Sequence, residues 1–227
     1  MAKIRKFSAL ICFGVVLCSF SFTSNAQTGW YEEQQRTFHG GIVAGTNFTQ
    51  VDGDRYAGFR KVGFNVGAIL YAQFAPHVAA SMEILYSQKG ARAHFAQIST
   101  NKVYMVERYR IGLNYAEVPI QLHYYDKRKS HFGAGFSYSQ LISSSETVTT
   151  TPAFPSNIDL DRQFPFRKFD VNFIAGGNLK LYKGLHLNAR FAYSLLPIRK
   201  IANTHPELAR ADQFNNIWTF RLMYLFQ

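Results

Sequence analysis

The feature that most constrains this chain is an alternation of apolar and polar residues that returns eight times. Residues 113–124 (LNYAEVPIQLHY) show it best: Ala116, Val118, Ile120, Leu122 and Tyr124 share one parity, and Glu117, Gln121 and His123 share the other. A β-strand sends successive side chains to opposite faces, so such a run has one apolar and one polar face. The same pattern occupies residues 38–49, 62–75, 78–87, 131–142, 168–182, 185–195 and 217–226. Within these runs Glu83, Glu117, Asp170, Lys180, Arg190 and Arg221 all stand opposite the Phe, Leu, Val and Ile set.

Two architectures give that pattern. A soluble lipocalin-like barrel turns the apolar face inward and scatters charges outside, whereas a membrane barrel turns the apolar face to lipid. Here the polar parity is rich in Gly, Ser and Asn, small residues suited to the interior of eight strands, which has room only for side chains. The connections also alternate. Short turns at 76–77, 126–130 and 183–184 separate long segments at 51–61, 88–111, 143–167 and 196–216, the last with a helical turn expected at 206–211. Outer-membrane barrels have short periplasmic turns and long outer loops, and Lys or Arg at the midplane of their lipid face costs about 2–4 kcal/mol. A mean hydropathy of −0.13 excludes a bundle of membrane helices despite 47% hydrophobic residues. The expectation is an all-β, eight-stranded antiparallel up-and-down transmembrane β-barrel over residues 38–227. Its final strand ends on Phe226, with Gln227 beyond it.

The first 26 residues read as a signal peptide: Lys3, Arg5 and Lys6, an apolar run at 7–22, and Ser24-Asn25-Ala26 before a cleavage site at Gln27. A retained anchor is the rival, but the apolar run is short for a span. Leu17 is too bulky for lipoprotein processing at Cys18. Both cysteines, Cys12 and Cys18, leave with the signal, and residues 27–37 form a short polar leader. Loss of those three bases from the 25 Lys and Arg, against 14 Asp and Glu, leaves a mature charge of +8. Without a helix-turn-helix or zinc pattern, nucleic acid is not the expected partner. Anionic lipid head groups or polyanionic glycans suit the compartment better.

Four segments together resemble the PorT-like family of Bacteroidetes outer-membrane β-barrels: 41–48 (GIVAGTNF), 56–67 (YAGFRKVGFNVG), 83–90 (EILYSQKG) and 113–122 (LNYAEVPIQL). The resemblance spans the mature chain and implies an eight-stranded barrel in the cell outer membrane. It implies no activity, although the family's namesake takes part in type IX secretion.

The residues offer little catalytic chemistry. Asp52-Gly53-Asp54 lacks the spacing of a calcium loop and reads as a turn. His39, His94, His123, His131, His186 and His205 fall in no recognisable catalytic spacing, and they read as girdle, turn or loop residues. No paired ligands point to a metal, and no cofactor is expected. The three acids and three bases of the polar parity read as a balanced lumen plug, with an ion path as the rival, because a lone buried charge is costly. Pro119 deletes a ladder donor and suggests a bulge beside Glu117. Two function classes follow. One is a structural or interaction barrel that meets a protein or glycan at its extracellular loops, or a secretion machine. The other is a lipid A-modifying enzyme.

Overall fold

A computed structural model describes residues 38–56, 58–93, 97–99, 104–126, 130–152 and 160–226. The expected signal peptide and leader, His94 and Gln227 lie outside the described residues. The strands are β1 (Phe38–Asp54), β2 (Lys61–Ala75), β3 (Val78–Ala93), β4 (Gln97–Ile98), β5 (Met105–Tyr125), β6 (His131–Thr151), β7 (Phe169–Tyr182), β8 (Leu185–Ser194) and β9 (Ala209–Leu225). Apart from β4, each pairs antiparallel with its chain neighbour, with β3 pairing across to β5, and β9 pairs with β1. Eight strands thus form a closed ring. The two-residue β4 only hangs on the end of β5. One helical turn, α1 (Leu160–Gln163), and a 3-10 turn (Ile201–Asn203) lie in the long loops. The turn expected at 206–211 is shorter, at 206–208, where Leu208 N–H donates to the His205 carbonyl, because β9 already begins at Ala209.

The apolar parity faces outward. Phe64, Ile84, Ile120, Leu122, Phe132, Phe136, Leu179 and Leu222 are all exposed on the outer wall, as a lipid-facing band requires. Aromatic pairs mark both edges of that band. Tyr124–Phe132 and Tyr224–Phe226 stand at the short-turn end. Tyr138–Phe169 and Tyr193–Phe214 stand at the long-loop end.

Above the band the patterning inverts without a change of sheet. Along β5, Glu117, Gln121 and His123 point inward below, whereas Tyr115, Leu113, Ile111 and Tyr109 are the buried residues above. Outside, Ala116–Tyr124 gives way to Asn114, Arg110 and Arg108. A strand that leaves lipid meets water outside, so apolar residues return to the interior. The 21-residue strands β5 and β6 extend roughly 70 Å at about 3.3 Å per residue, about 54 Å along the membrane normal at a tilt near 40°, against the ~30 Å hydrocarbon core. They therefore carry the barrel well beyond the membrane. The extended strand ends expected within 88–111 are present at 88–93 and 105–111, and of the loop expected at 143–167, residues 143–151 continue β6.

Two further expectations are corrected. Asp52-Gly53-Asp54 is a bulge between β1 and β9 rather than a turn. Gly53 sits at φ 90°, where a Cβ would lie 2.0 Å from the Asp212 carbonyl oxygen. Pro119 makes no bulge. The β3–β5 register is the same at Met82↔Ile120 and Leu85↔Glu117, and only the two intervening pairs are missing. The closed wall absorbs the lost donor as a gap.

Candidate functional site

The candidate site is the filled lumen and the cap over it. In mid-lumen, Glu83 on β3 accepts from Arg221 on β9 at 2.6 and 2.9 Å, and from Arg190 on β8 at 3.2 Å. Strand β8 lies diametrically opposite β3 in the ring, so this carboxylate ties two walls together. Arg221 also donates to Asn188 at 2.7 Å and to Asn65 at 3.2 Å, and Asn188 donates to Asn178 at 2.8 Å. Charges taken out of water need this degree of pairing. The residues facing the two arginines in register are Gly45 and Gly176. A Cβ there would lie 2.5 Å and 2.9 Å from the Cα atoms of Arg221 and Arg190. Bare positions thus make room for the bulkiest inward side chains.

One level towards the long loops, Glu117 pairs with Lys89 at 3.0 Å, both almost wholly buried. Lys89 also donates to Ser139 and lies over the Tyr115 ring. Asp170 accepts from Ser194 at 2.9 Å and from Asn215 at 3.0 Å. Five of the six residues expected in the lumen, Glu83, Glu117, Asp170, Arg190 and Arg221, are buried inside. Lys180 is not among them: it is half-buried on β7, opposite His186 near the short turn. Among the described residues it has no ion-pair partner. The third base is Lys89, which the sequence reading left in a loop because β3 runs on to Ala93.

At the short-turn end the lumen holds an aromatic layer. His123 and His131 stand 5.1 Å apart by ring centroid, with Tyr71 and Tyr125 against them and His186 at 6.0 Å from His131. These three histidines are buried inside, not in the girdle or loops as expected. His39 is half-buried at the start of β1, and His205 lies in a long loop. Ser81 Oγ lies 2.7 Å from His123 Nε2, the contact of a nucleophile and its base. Nδ1 of His123 has no hydrogen-bond partner among the described residues, so no third group orients the ring. Both residues face the packed lumen rather than lipid.

The long-loop end is closed by a second core in which Tyr56, Tyr109, Ile111, Leu160, Phe166, Ile198 and Leu208 pack together. At its centre Arg199 donates to Glu146 at 2.6 and 2.9 Å and to Gln213 at 2.9 Å, and stacks over Phe166 at 4.0 Å. Tyr109 donates to the same Glu146 carboxylate. Sequence reasoning missed this layer because Arg199 and Glu146 lie outside any readable alternation. The described residues hold no cluster of His, Cys, Asp and Glu suited to a metal ion.

Several solved structures are similar at low identity. Ail, the attachment invasion locus protein of Yersinia pestis, is 13% identical with a TM-score of 0.44, over 84% of this chain and 100% of that one. The outer membrane protein OprG from Pseudomonas aeruginosa is 11% identical with a TM-score of 0.39, over 84% and 94%. Neisserial surface protein A is 10% identical with a TM-score of 0.37, over 84% and 98%. No curated protein matches the sequence. Residues 25–199 match the family described as outer membrane protein beta-barrel domain; with most of its length covered, the chain belongs to that family.

Proposed function

We propose that this protein is a closed, non-enzymatic outer-membrane barrel with a structural or interaction role, acting through its long-loop end, with its short turns in the periplasm. The observation that carries the reading is the filled lumen. The His–Tyr layer, the Glu83–Arg190–Arg221 tie, the Glu117–Lys89 pair and the Arg199–Glu146 cap leave no level empty of packed side chains. Eight strands enclose only enough space for such packing, and a porin needs about twice as many. The surfaces left for a partner are the rims, and the long-loop rim carries more bases than acids, which suits an acidic protein or glycan. The four sequence segments support a PorT-like place within the family, and contact with a secretion machine would be one form of the same role. In planar bilayers the purified protein should show no steady conductance of porin size. A stable, reproducible open channel from the monomer would overturn the reading. The lipid A-modifying alternative fails if lipid A from a deletion strain has an unchanged mass spectrum.

A further inference from the structure

On the outer wall above the lipid-facing band, the β3–β5 seam carries two exposed cations, with a third, buried one from β2 beside them. Arg92 on β3 and Arg110 on β5 are direct partners in register, and both are exposed. Like charges directly opposite one another destabilise a sheet. Lys61 on β2 is buried beside them: its Nζ lies 3.7 Å from where a Cβ on Gly112 would stand, two pairs below Arg110, and the charges of Arg92 and Arg110 both act on it. Among the described residues none of the three has a carboxylate within ion-pair distance. Lys89 and Arg199, by contrast, are each matched to an acid. The next level down on that face, Gly90↔Gly112, has no side chain of its own, and Ser145 Oγ and Lys61 Nζ lie over it, 2.6 and 3.7 Å from where a Cβ on Gly112 would stand. Below it stand Gln88 and Asn114, then Tyr86 and Ala116 at the edge of the band.

We propose that this seam binds the phosphate groups of a glycolipid whose acyl chains lie on the band beneath. Phosphate matches a cluster of guanidinium and ammonium groups, arginine meeting it through paired N–H donors. Height selects the kind of lipid. From Tyr86 to Arg92 is roughly 20 Å along the strand at about 3.3 Å per residue, or about 15 Å along the membrane normal at a tilt near 40°. The head-group layer of an ordinary phospholipid rises only about 5–8 Å above the hydrocarbon. A phosphate carried on a sugar head group stands higher, within reach of the long side chains of Arg92 and Arg110. This site does not depend on the sealed lumen, but it rests on the proposed topology in which the long-loop end faces the cell exterior.

The test uses the full mature chain purified in detergent, wild type beside Arg92→Gln/Arg110→Gln, with heat-modified gel migration as the check that both are folded. Binding is measured by native mass spectrometry with lipid A bearing its phosphates, the same lipid after phosphatase treatment, dioleoylphosphatidic acid, and inorganic phosphate. Wild type should bind intact lipid A, the double variant at least about tenfold more weakly, as expected for lost bonds between charged groups, and dephosphorylated lipid A should not bind. Arg92→Lys/Arg110→Lys, which keeps the charge, should recover part of the loss. Equal binding by wild type and the double Gln variant would overturn the site. Phosphatidic acid binding as tightly as lipid A would overturn the glycolipid assignment, and displacement by millimolar inorganic phosphate would overturn the lipid assignment.

Discussion

Glu83→Gln is the most informative single change in the lumen. Glu83 is 1% exposed and accepts three hydrogen bonds from two guanidinium groups that are themselves 2–3% exposed. Glutamine keeps the shape, but its amide nitrogen meets arginine donor to donor and its charge is gone. Two arginines then remain buried without their shared acid. Breaking a buried pair by removing one partner costs about 3–5 kcal/mol. At roughly 2–4 °C per kcal/mol for a domain of this size, the heat-induced shift in gel migration should fall by about 10 °C. A cycle with Arg221→Gln separates pairing from general damage, because the double variant should be less harmed than the sum of the singles by at least about 1 kcal/mol. A single variant that melts with the wild type, or strictly additive losses, would refute the cross-lumen tie.

Three more predictions test separate parts of the structure. Lys89→Met should destabilise the barrel by several kcal/mol by stranding Glu117, while Lys180→Met should stay within about 0.5 kcal/mol; equal effects in thermal unfolding would refute the assignment of Lys89 as the third lumen base. Cysteine at Ser145 should react with an impermeant maleimide on intact cells and cysteine at Lys183 should not, and the reverse pattern would invert the topology. Burial in the loop core lowers the His205 pKa below its ordinary 6.5, against the opposing charge of Glu207. The unfolded segment therefore binds the proton more readily than the folded one, so the cap is fully stable above about pH 6.5 and loosens as pH falls below it. Hydrogen exchange across residues 196–208 should quicken between pH 7.5 and pH 5, and a flat profile would remove His205 from the cap's stability.

The outer wall was legible in the sequence because lipid imposes one demand on every outward position of the band. Phe64, Ile120 and Phe136 stand out as a charge-free parity, and the structure puts them outside. Legibility ended where the demand changed. On β5 the apolar residues switch from Ala116 and Ile120 outside to Leu113 and Ile111 inside, with the strand unbroken. A search for one phase of alternation therefore loses the strand at that level. Lys89 fell beyond the same boundary, beside Gly90 at φ 129°, and so passed for a loop residue. The histidine layer was hidden for another reason. His123, His131 and His186 come from three strands, and their meeting depends on the ring closing, which linear spacing does not encode.

The proline and the carboxylate share one level of the wall, and the pairing has a physical logic. Pro119 supplies no N–H, and the β3–β5 ladder misses the pairs that would join Pro119 to Glu83 and Val118 to Ile84. A closed ring has no edge at which to place such a residue, so the seam is weakest in backbone bonds at this point. Glu83, on the strand that lost them, is the residue held across the lumen by Arg190 and Arg221. Those arginines enter the narrow interior because Gly45 and Gly176 face them. Side-chain bonds through the barrel thus hold β3 in place where the ladder between neighbours is interrupted.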